Sequence, residues 1–479
     1  MAGRVAGVSE LLEDCNEKAG APGEPGGVVV GRDGSTGGST AGTGPKQRPA
    51  VLRALAHRDF RLFFCGQLVS LIGTWMQGIA QSWLVYRLTG SSVLLGLVGF
   101  AGQIPVLLLS PLGGSLADAR SRHRIIIGTQ TAAMILAFAL AGLTLAGQVR
   151  LWHVFALASM LGIVNAFDIP ARQSFLVQLV GRDDLMNAIA LNSSMFNGAR
   201  IVGPAIAGML VAAIGEGWCF FLNGVSYLAV LTGLLLMHPK PQPARPEGET
   251  PLGRIVEGFV FVARTPPIRA LLLLLGLVSL TGMPYAVLMP IFADKILHAG
   301  ARGLGILMGA AGFGALLGAL TLASRREVRG LGRWIAWAAV SFGAGLIAFS
   351  LSRHFWLSTA LLVPVGFAMI VETASSNTLI QAMVPDALRG RVMSLYSMMF
   401  MGMAPFGALL AGLLAGRFGA PTAVAAGGAA CILGAILFEL QLPKLRISAR
   451  QLLIAQEVTA GDPTIAATEA TAATAETGD

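Results

Sequence analysis

The sequence GGSLADARSRHR, residues 113–124, is a short charged connector between two long apolar segments. The flanking segments, at about 92–117 and 124–147, each match the roughly 20 residues that a helix needs to cross a bilayer. The pattern recurs along the 479 residues, of which 54% are hydrophobic and 12% charged, against about a quarter charged in soluble domains. The sequence therefore predicts an all-α polytopic membrane protein.

Twelve apolar segments of this kind follow one another. They lie at about 61–86, 92–117, 124–147, 152–178, 186–214, 217–237, 269–293, 303–323, 333–352, 355–382, 392–416 and 421–441. The longest connector divides them into two groups of six. We predict an N-terminal six-helix bundle at 50–237, a connector at 238–268 and a C-terminal six-helix bundle at 269–443. The polar tails at 1–49 and 444–479 are predicted to be disordered, the second for most of its length.

Cations in the loops predict the orientation of the chain. Clusters follow the even-numbered spans and fill the middle connector: Arg120, Arg122, Arg124, Arg182, Lys240, Arg245, Arg254, Arg264, Arg325, Arg326, Arg329, Arg389 and Arg391. Loops after odd-numbered spans hold mostly single cations. By the positive-inside rule, the even loops and both termini face the cytoplasm. The net charge of +9 comes largely from these loops, so nucleic-acid binding is not predicted.

The two halves of the chain match each other at a constant offset of 204 in residue number. Matching pairs include Gly162 with Gly366, Leu191 with Leu395, Ser193 with Ser397, Gly198 with Gly402, Gly203 with Gly407, Gly208 with Gly412, and Gly215 with Gly419. Six spans per half keep both copies in the same membrane orientation, which makes them parallel repeats. We therefore expect two six-helix bundles that face each other across a midplane cavity.

The heptapeptide FDIPARQ, residues 167–173, places Asp168 and Arg172 four residues apart in the fourth span. A charge at the bilayer centre costs roughly 2.5–3.5 kcal/mol, so an acid in a span marks a functional site by default. Asp168 lies about 24 Å from the start of this span near Trp152, at 1.5 Å per residue. That depth predicts a place near the cytoplasmic end, within reach of Arg122. The simpler alternative is an interfacial ion pair with Arg172.

The repeat extends this pair to the second half of the chain. The same offset places Glu372 on Asp168 and Arg326 on Arg122, so Arg326–Glu372 is interpreted as a second copy of Arg122–Asp168. Glu372 is the only acid of the tenth span, and its neighbour at i+4 is Ser376 and not a cation. Glu372 is therefore the preferred site of proton coupling, and Asp168 is the second candidate.

The connector GGSLADARSRHR resembles the loop between spans two and three of the major facilitator superfamily, whose usual form is G-x-L-x-D-R-x-G-R-[RK]. The matching residues are Gly114, Leu116, Asp118 and Arg122, and the departures are Ala119, Ser121 and His123. ARIVGPAIAG, residues 199–208, resembles the fifth-span motif of antiporters. GTWMQGIAQSWLVYRLTGSS, FDIPARQSFLVQLV and NTLIQAMVPDALRGRVMSLYS resemble the bacterial branch of enterobactin exporters and macrolide-efflux proteins. The resemblance covers about residues 51–443.

This resemblance implies the major facilitator fold, in which two bundles rock about a central cavity. It also implies that Asp118 lies near the N-terminus of the eleventh helix when the cytoplasmic side is closed, where a carboxylate is stabilised by the helix dipole. The predicted cytoplasmic gate consists of Gly114, Asp118, Arg122, Asp168, Arg172, Arg326 and Glu372.

Other polar residues within the spans are candidates for the cavity wall. They are Trp75, Gln77, Gln81, Gln103, Asn192 and Arg200, each of which has helix packing as its alternative role. Arg200 has no carboxylate at i±3 or i±4, which leaves pairing with helix carbonyls or recognition of an anion. Gly203, Pro204 and Gly208 are interpreted as sites of close helix packing and of a bend.

No P-loop, nucleophile elbow or HExxH motif occurs, and the four cysteines lack metal-site spacing. We therefore expect no enzyme activity, cofactor, metal or nucleotide, and we expect a monomer whose partners are a small-molecule substrate and the lipid bilayer. The leading prediction is export of small amphipathic molecules of the drug or siderophore type by alternating access and proton antiport. Alternatives are metabolite uptake, lysophospholipid transport, a non-transporting scaffold or sensor and, more distantly, a membrane enzyme.

Overall fold

A computed structural model of the protein describes residues 50–181, 184–238, 251–324 and 330–459. The predicted N-terminal arm at 1–49 lies outside the described residues, as does Arg326 of the predicted gate. Statements about the fold and the site below concern the described residues.

Twelve helices in the described part of the chain are long and apolar enough to cross a membrane, which confirms the predicted number of spans. We label them α1 Arg58–Thr89, α2 Ser92–Ala119, α3 Arg122–Leu145, α4 Leu151–Val180, α5 Leu185–Ile214, α6 Glu216–Leu235, α7 Pro266–Ile296, α8 Gly300–Ala323, α9 Leu331–Leu351, α10 Phe355–Met383, α11 Leu388–Phe418 and α12 Ala420–Arg446. The helix that contains α12 continues to Thr459, past the predicted end of the bundle at residue 443. The predicted connector contains one further helix, Pro251–Arg264.

The boundaries of these helices repeat at the offset that the sequence predicts. Helices α4 and α10 begin at Leu151 and Phe355, and α2 and α8 end at Ala119 and Ala323. The turns that follow α5 and α11 are both made by a glycine with φ of +87°, Gly215 and Gly419. Residues with a Cβ are strained at such an angle, so both copies keep glycine at the same turn. The parallel repeat is thus confirmed by the fold itself.

Helix pairing inside each bundle follows the same repeat. The contacts α2–α4, α3–α6 and α3–α4 of the first bundle recur as α8–α10, α9–α12 and α9–α10 in the second. Small residues let these helices approach closely, as is usual where apolar side chains gain little from leaving lipid. A methyl group at Gly162 would overlap the Gly102 carbonyl oxygen, and one at Gly366 would overlap the Ala311 carbonyl.

The two bundles meet chiefly through two helix pairs, α5 with α8 and α2 with α11. A methyl group at Gly208 would lie 2.7 Å from the Cα of Gly305, and one at Gly96 would lie 3.0 Å from the Cα of Gly412. Gly208 and Gly412 are near the ends of their helices, whereas Gly305 and Gly96 are near the beginnings. All four glycines therefore lie toward the same side of the membrane.

Polar contacts join the bundles at this side as well. The Tyr86 hydroxyl at the end of α1 donates a hydrogen bond of 2.6 Å to Asp294 Oδ2 at the end of α7. Lys295 Nζ donates to the Gly90 carbonyl at 3.4 Å and lies 5.9 Å from the centre of the Tyr86 ring. We call this side, defined by Tyr86, Gly90, Asp294 and Lys295, the closed end.

The opposite side carries the end of α2 and the beginning of α11. A methyl group at Gly114 or at Gly390 would meet no atom of the described residues within 4 Å. The same two helices are in backbone contact at the closed end, whereas Gly114 and Gly390 adjoin open space. We call this side, marked by Gly114 and Gly390, the open end.

Candidate functional site

The connector between α2 and α3 is held to α4 by one arginine. Arg122 Nη2 donates to Asp118 Oδ1 at 3.2 Å, and Arg122 Nε donates to the Ala117 carbonyl at 3.2 Å. Arg122 Nη1 donates to the Ser174 carbonyl on α4 at 3.1 Å. Only 13% of the Arg122 side chain is exposed, whereas 39% of that of Asp118 is. Arg122 therefore ties three helices together, and the carboxylate of Asp118 is partly exposed at the open end.

Asp168 has three donors around a buried carboxylate. Thr129 Oγ1 and Gln130 Nε2 of α3 donate to Asp168 Oδ1 at 2.8 and 2.9 Å. Arg172 Nε, one turn along the same helix, lies 3.4 Å from Asp168 Oδ2. The polar bonds of Asp168 thus connect α4 to α3 inside the first bundle.

The predicted ion pair between Arg122 and Asp168 is wrong, because no such pair is present among the described residues. Arg122 is the first residue of α3, whereas Thr129 and Gln130 lie about two turns further along it. Asp168 is at their level, about 18 Å before the end of α4 at Val180 at 1.5 Å per residue. The acid is therefore deeper than an arginine at the helix end reaches.

Glu372 is surrounded very differently in the second bundle. Its side chain is fully buried, and its hydrogen bonds come from two hydroxyls of its own helix, Thr373 Oγ1 at 3.3 Å and Ser376 Oγ at 3.5 Å. Across residues 50–181, 184–238, 251–324 and 330–459, no cation lies within ion-pair distance of it. The predicted partner Arg326 is outside the described residues, so the Arg326–Glu372 pair stays a prediction.

The six predicted cavity residues differ in burial and in their contacts. Gln77 is buried and accepts a hydrogen bond of 2.6 Å from Asn223 Nδ2 of α6, so it links two helices of one bundle. Its assignment to the cavity wall is corrected on this ground. Gln81 and Asn192 are half-buried, and Gln103 is exposed.

Trp75 and Arg200 form the first part of a group at mid-depth. The Arg200 guanidinium lies 5.8 Å from the centre of the Trp75 ring, and Trp75 meets Phe196 edge-to-face at 5.6 Å. Arg200 Nη2 also reaches Met369 Sδ on α10 of the second bundle, at 3.5 Å. Four residues from three helices, Trp75, Phe196, Arg200 and Met369, thus meet between the bundles.

The residues interpreted as packing positions on α5 lie at close contacts. A methyl group at Gly203 would lie 2.5 Å from Trp75 Cβ, and Gly208 lies against Gly305 of α8. Pro204 lies between them inside α5. Gly203 therefore packs against α1, and Gly208 packs against α8.

The closed end was missed by sequence reasoning. Tyr86 and Asp294 are 208 residues apart, and no local pattern relates them. Arg87 next to Tyr86 forms an ion pair with Glu216 at 2.7 Å, which fixes the end of α1 to the beginning of α6. The only signal in the sequence was a pair of charged residues, Asp294 and Lys295, at the end of an apolar span.

Known proteins are similar to this chain over most of its length. A family model described as "Transmembrane secretion effector" matches residues 50–460. The chain is 28% identical over 392 residues to the enterobactin exporter EntS of Shigella boydii, which covers 81% of this chain and 93% of that protein. It is 25% identical over 362 residues to the staphyloferrin A transporter of Staphylococcus aureus, covering 75% of this chain and 90% of that protein.

A solved structure shares the fold. The nucleoside transporter NupG superimposes with a TM-score of 0.62 at 13% identity, over 81% of this chain and 99% of that one. This likeness concerns the arrangement of helices alone. Because the family model spans nearly all of the described residues and the fold is that of a two-bundle transporter, the chain belongs to the transmembrane secretion effector family of the major facilitator superfamily.

Proposed function

We propose that the protein exports small amphipathic molecules of the siderophore or drug type from the cytoplasm by alternating access. The observation that carries this proposal is that backbone contacts and a hydrogen bond join the two bundles at the closed end, whereas Gly114 and Gly390 adjoin open space at the open end. Such an arrangement is one of the two states that a rocking transporter requires. The names of the two relatives, an enterobactin exporter and a staphyloferrin A transporter, support the siderophore class.

The direction of export rests on charge. The open end carries Arg120 and Arg124, both exposed, in the connector between α2 and α3. Cations concentrate in cytoplasmic loops, so the open end faces the cytoplasm in this proposal and both termini lie on the same side. The cavity is then accessible to cytoplasmic substrate, which is the loading state of an exporter.

The gate at the open end is proposed to close around the connector between α2 and α3. Arg122 holds this connector to α4, and Asp118 is partly exposed beside it. When the bundles rock, Asp118 approaches the N-terminus of α11, where unpaired backbone N–H groups stabilise a carboxylate. Asp168 and Arg172 stiffen the α3–α4 unit that moves with the connector.

Proton antiport is proposed as the energy source, with Glu372 as the carrier. A buried acid without a cation is more easily protonated and deprotonated in a transport cycle than one already held by an arginine. Asp168 has such an arginine, Arg172, and two further donors. The two acids therefore divide into a coupling residue, Glu372, and a structural residue, Asp168.

The transport proposal is tested in inverted membrane vesicles, whose outer face corresponds to the cytoplasm. Radiolabelled enterobactin and the dye ethidium are the probes, and an imposed pH gradient is dissipated midway. We expect accumulation of at least one probe that stops when the gradient is lost. Uptake only in right-side-out vesicles would reverse the proposed direction, and no transport of either probe would reject the proposed cargo class.

The gate is tested by the substitution Asp118→Asn. We expect normal expression and membrane insertion but no transport, because the amide lacks the charge that favours the helix N-terminus of α11. Asp59→Asn, at the beginning of α1 and outside the gate, is the matched control and should transport normally. Transport by Asp118→Asn at the rate of the unmodified protein would contradict the gate.

A further inference from the structure

Arg200 lies at the middle of a helix long enough to span the membrane. Arg200 is central in α5, Leu185–Ile214, and lies about 21 Å or more from either end of that helix at 1.5 Å per residue. An arginine side chain is far shorter than this, so it does not reach the interface by snorkelling. Met369 is likewise at the centre of α10, Phe355–Met383.

The contacts of Arg200 provide no counter-charge. Its neighbours are the sulfur of Met369 and the face of Trp75. A structural arginine usually forms an ion pair or donates hydrogen bonds to helix carbonyls. Among the described residues, Arg200 does neither. A cation without a partner at this depth is costly and marks a functional site.

The two buried acids Asp168 and Glu372, of α4 and α10, are engaged elsewhere. Asp168 pairs with Arg172 and with the donors of α3. Glu372 is one turn from Met369 on α10, yet its hydrogen bonds come from Thr373 and Ser376 of its own helix. No anionic group in the described part of the chain neutralises Arg200, so its positive charge is available to a bound ligand.

An aromatic wall adjoins this charge. Phe196 and Arg200 are four residues apart and so project from the same face of α5. Trp75 of α1 lies beside both, and Gly203 permits its approach because any larger residue would collide with Trp75 Cβ. Phe196 is 45% exposed, so the wall is accessible.

We infer that Arg200, Trp75 and Phe196 form the subsite for an anionic group carried on a planar or aromatic substrate. The guanidinium binds the oxyanion through two parallel hydrogen bonds, and the rings of Trp75 and Phe196 pack on the apolar part. Contact with Met369 couples this subsite to the second bundle, so an occupant bridges both bundles. The inference rests on the proposed function and adds to it the charge class of the substrate.

The test measures binding of three matched probes to the full-length protein in detergent: 1-naphthoate, uncharged 1-naphthamide and cationic 1-naphthylmethylammonium. They share one ring system and differ in charge. We expect the unmodified protein to bind the anion about tenfold more tightly than the amide, as a charge-assisted hydrogen bond implies. The cation should bind most weakly.

Substitutions at Arg200 separate charge from folding. Arg200→Gln should bring the ratio of anion to amide affinity close to one, and Arg200→Lys should retain part of the preference because it keeps the charge. Arg269→Gln removes an exposed cation elsewhere and should leave the ratio unchanged. Thermal unfolding of each variant verifies that it is folded.

Three outcomes would overturn the inference: no preference for the anion in the unmodified protein, an unchanged preference in Arg200→Gln, or no binding of any probe. Failure of the proposed function is distinguishable from these. If the protein prefers the anion but vesicles transport nothing, the subsite holds and the exporter proposal falls. If vesicles transport a probe without any preference for anions, the reverse conclusion applies.

Discussion

Asp168 of α4 and Glu372 of α10 occupy equivalent places in the two bundles but differ in what surrounds them. The two acids lie equally far along the chain from the first residue of their helices, Leu151 and Phe355. Asp168 has three side-chain donors, one of them an arginine, whereas Glu372 has two hydroxyls and no cation within ion-pair distance among the described residues. An acid was thus kept at one position of the repeat while its partners changed.

The sequence shows where the difference arises. At the offset of the repeat, Thr129 and Gln130 correspond to Arg333 and Trp334, and Arg172 corresponds to Ser376. The second bundle therefore lacks the short polar donors and the same-helix arginine that hold Asp168. Asp168 therefore links two helices, whereas the hydrogen bonds of Glu372 stay within its own helix.

The largest effect on stability is expected from Asp168→Ala. This substitution leaves Thr129, Gln130 and Arg172 without their shared acceptor in a buried site, at a cost of about 3 kcal/mol of unfolding free energy. Thermal unfolding of the purified protein measures it, and Asp168→Asn, which keeps an acceptor oxygen, should lose much less. If Asp168→Ala is as stable as the unmodified protein, Asp168 has no structural role.

A smaller effect is expected from Arg172→Gln. The carboxylate of Asp168 keeps its two donors on α3 but loses its counter-charge, which should cost about 1.5 kcal/mol. The same unfolding experiment applies, with Ser376→Ala as the equivalent change in α10. If both substitutions lower the free energy of unfolding by the same small amount, Arg172 does not stabilise Asp168, and the contrast between the two acids is wrong.

The smallest effect on stability, and a large one on transport, is expected from Glu372→Gln. The amide still hydrogen-bonds to the two hydroxyls, and the substitution removes no ion pair. The free energy of unfolding should therefore change by about 0.5 kcal/mol or less. Accumulation driven by a pH gradient should be lost, while exchange of substrate without a gradient should continue.

The matched control for Glu372→Gln is Glu439→Gln, which removes an exposed acid on α12. This variant should retain transport driven by the gradient. Persistence of gradient-driven transport in Glu372→Gln would assign coupling to another residue and would end the functional contrast with Asp168.

Much of the fold was readable from local pattern. Hydropathy gave the twelve spans because each crossing needs its own long apolar segment, whatever its neighbours are. The constant offset between the two halves gave the parallel repeat, and the glycines Gly215 and Gly419 recur at equivalent turns with the same left-handed angle. The match between GGSLADARSRHR and the superfamily loop identified the family before any helix was placed.

Side-chain partners were a different matter. Gln77 was assigned to the cavity but faces Asn223 inside the first bundle, since the rotation of α1 about its axis depends on packing against α6. Arg122 was assigned to Asp168, yet it lies about two turns away from that acid along α3. The position of Asp168 along α4 can be counted from the sequence, but which residue of a neighbouring helix lies at that depth depends on how the helices pack.

The sequence by itself determined that this chain spans a membrane twelve times in two related halves, because these properties follow from the composition of each segment and from a repeat along the chain. Only the tertiary structure decided which side chains meet. Tyr86 contacts Asp294, and Asp168 has an ion pair with Arg172 whereas Glu372 has no cation beside it among the described residues. Arg200 lies against Trp75 and Met369. Those contacts join residues far apart in the chain, and they depend on helix rotation and on the approach of two bundles.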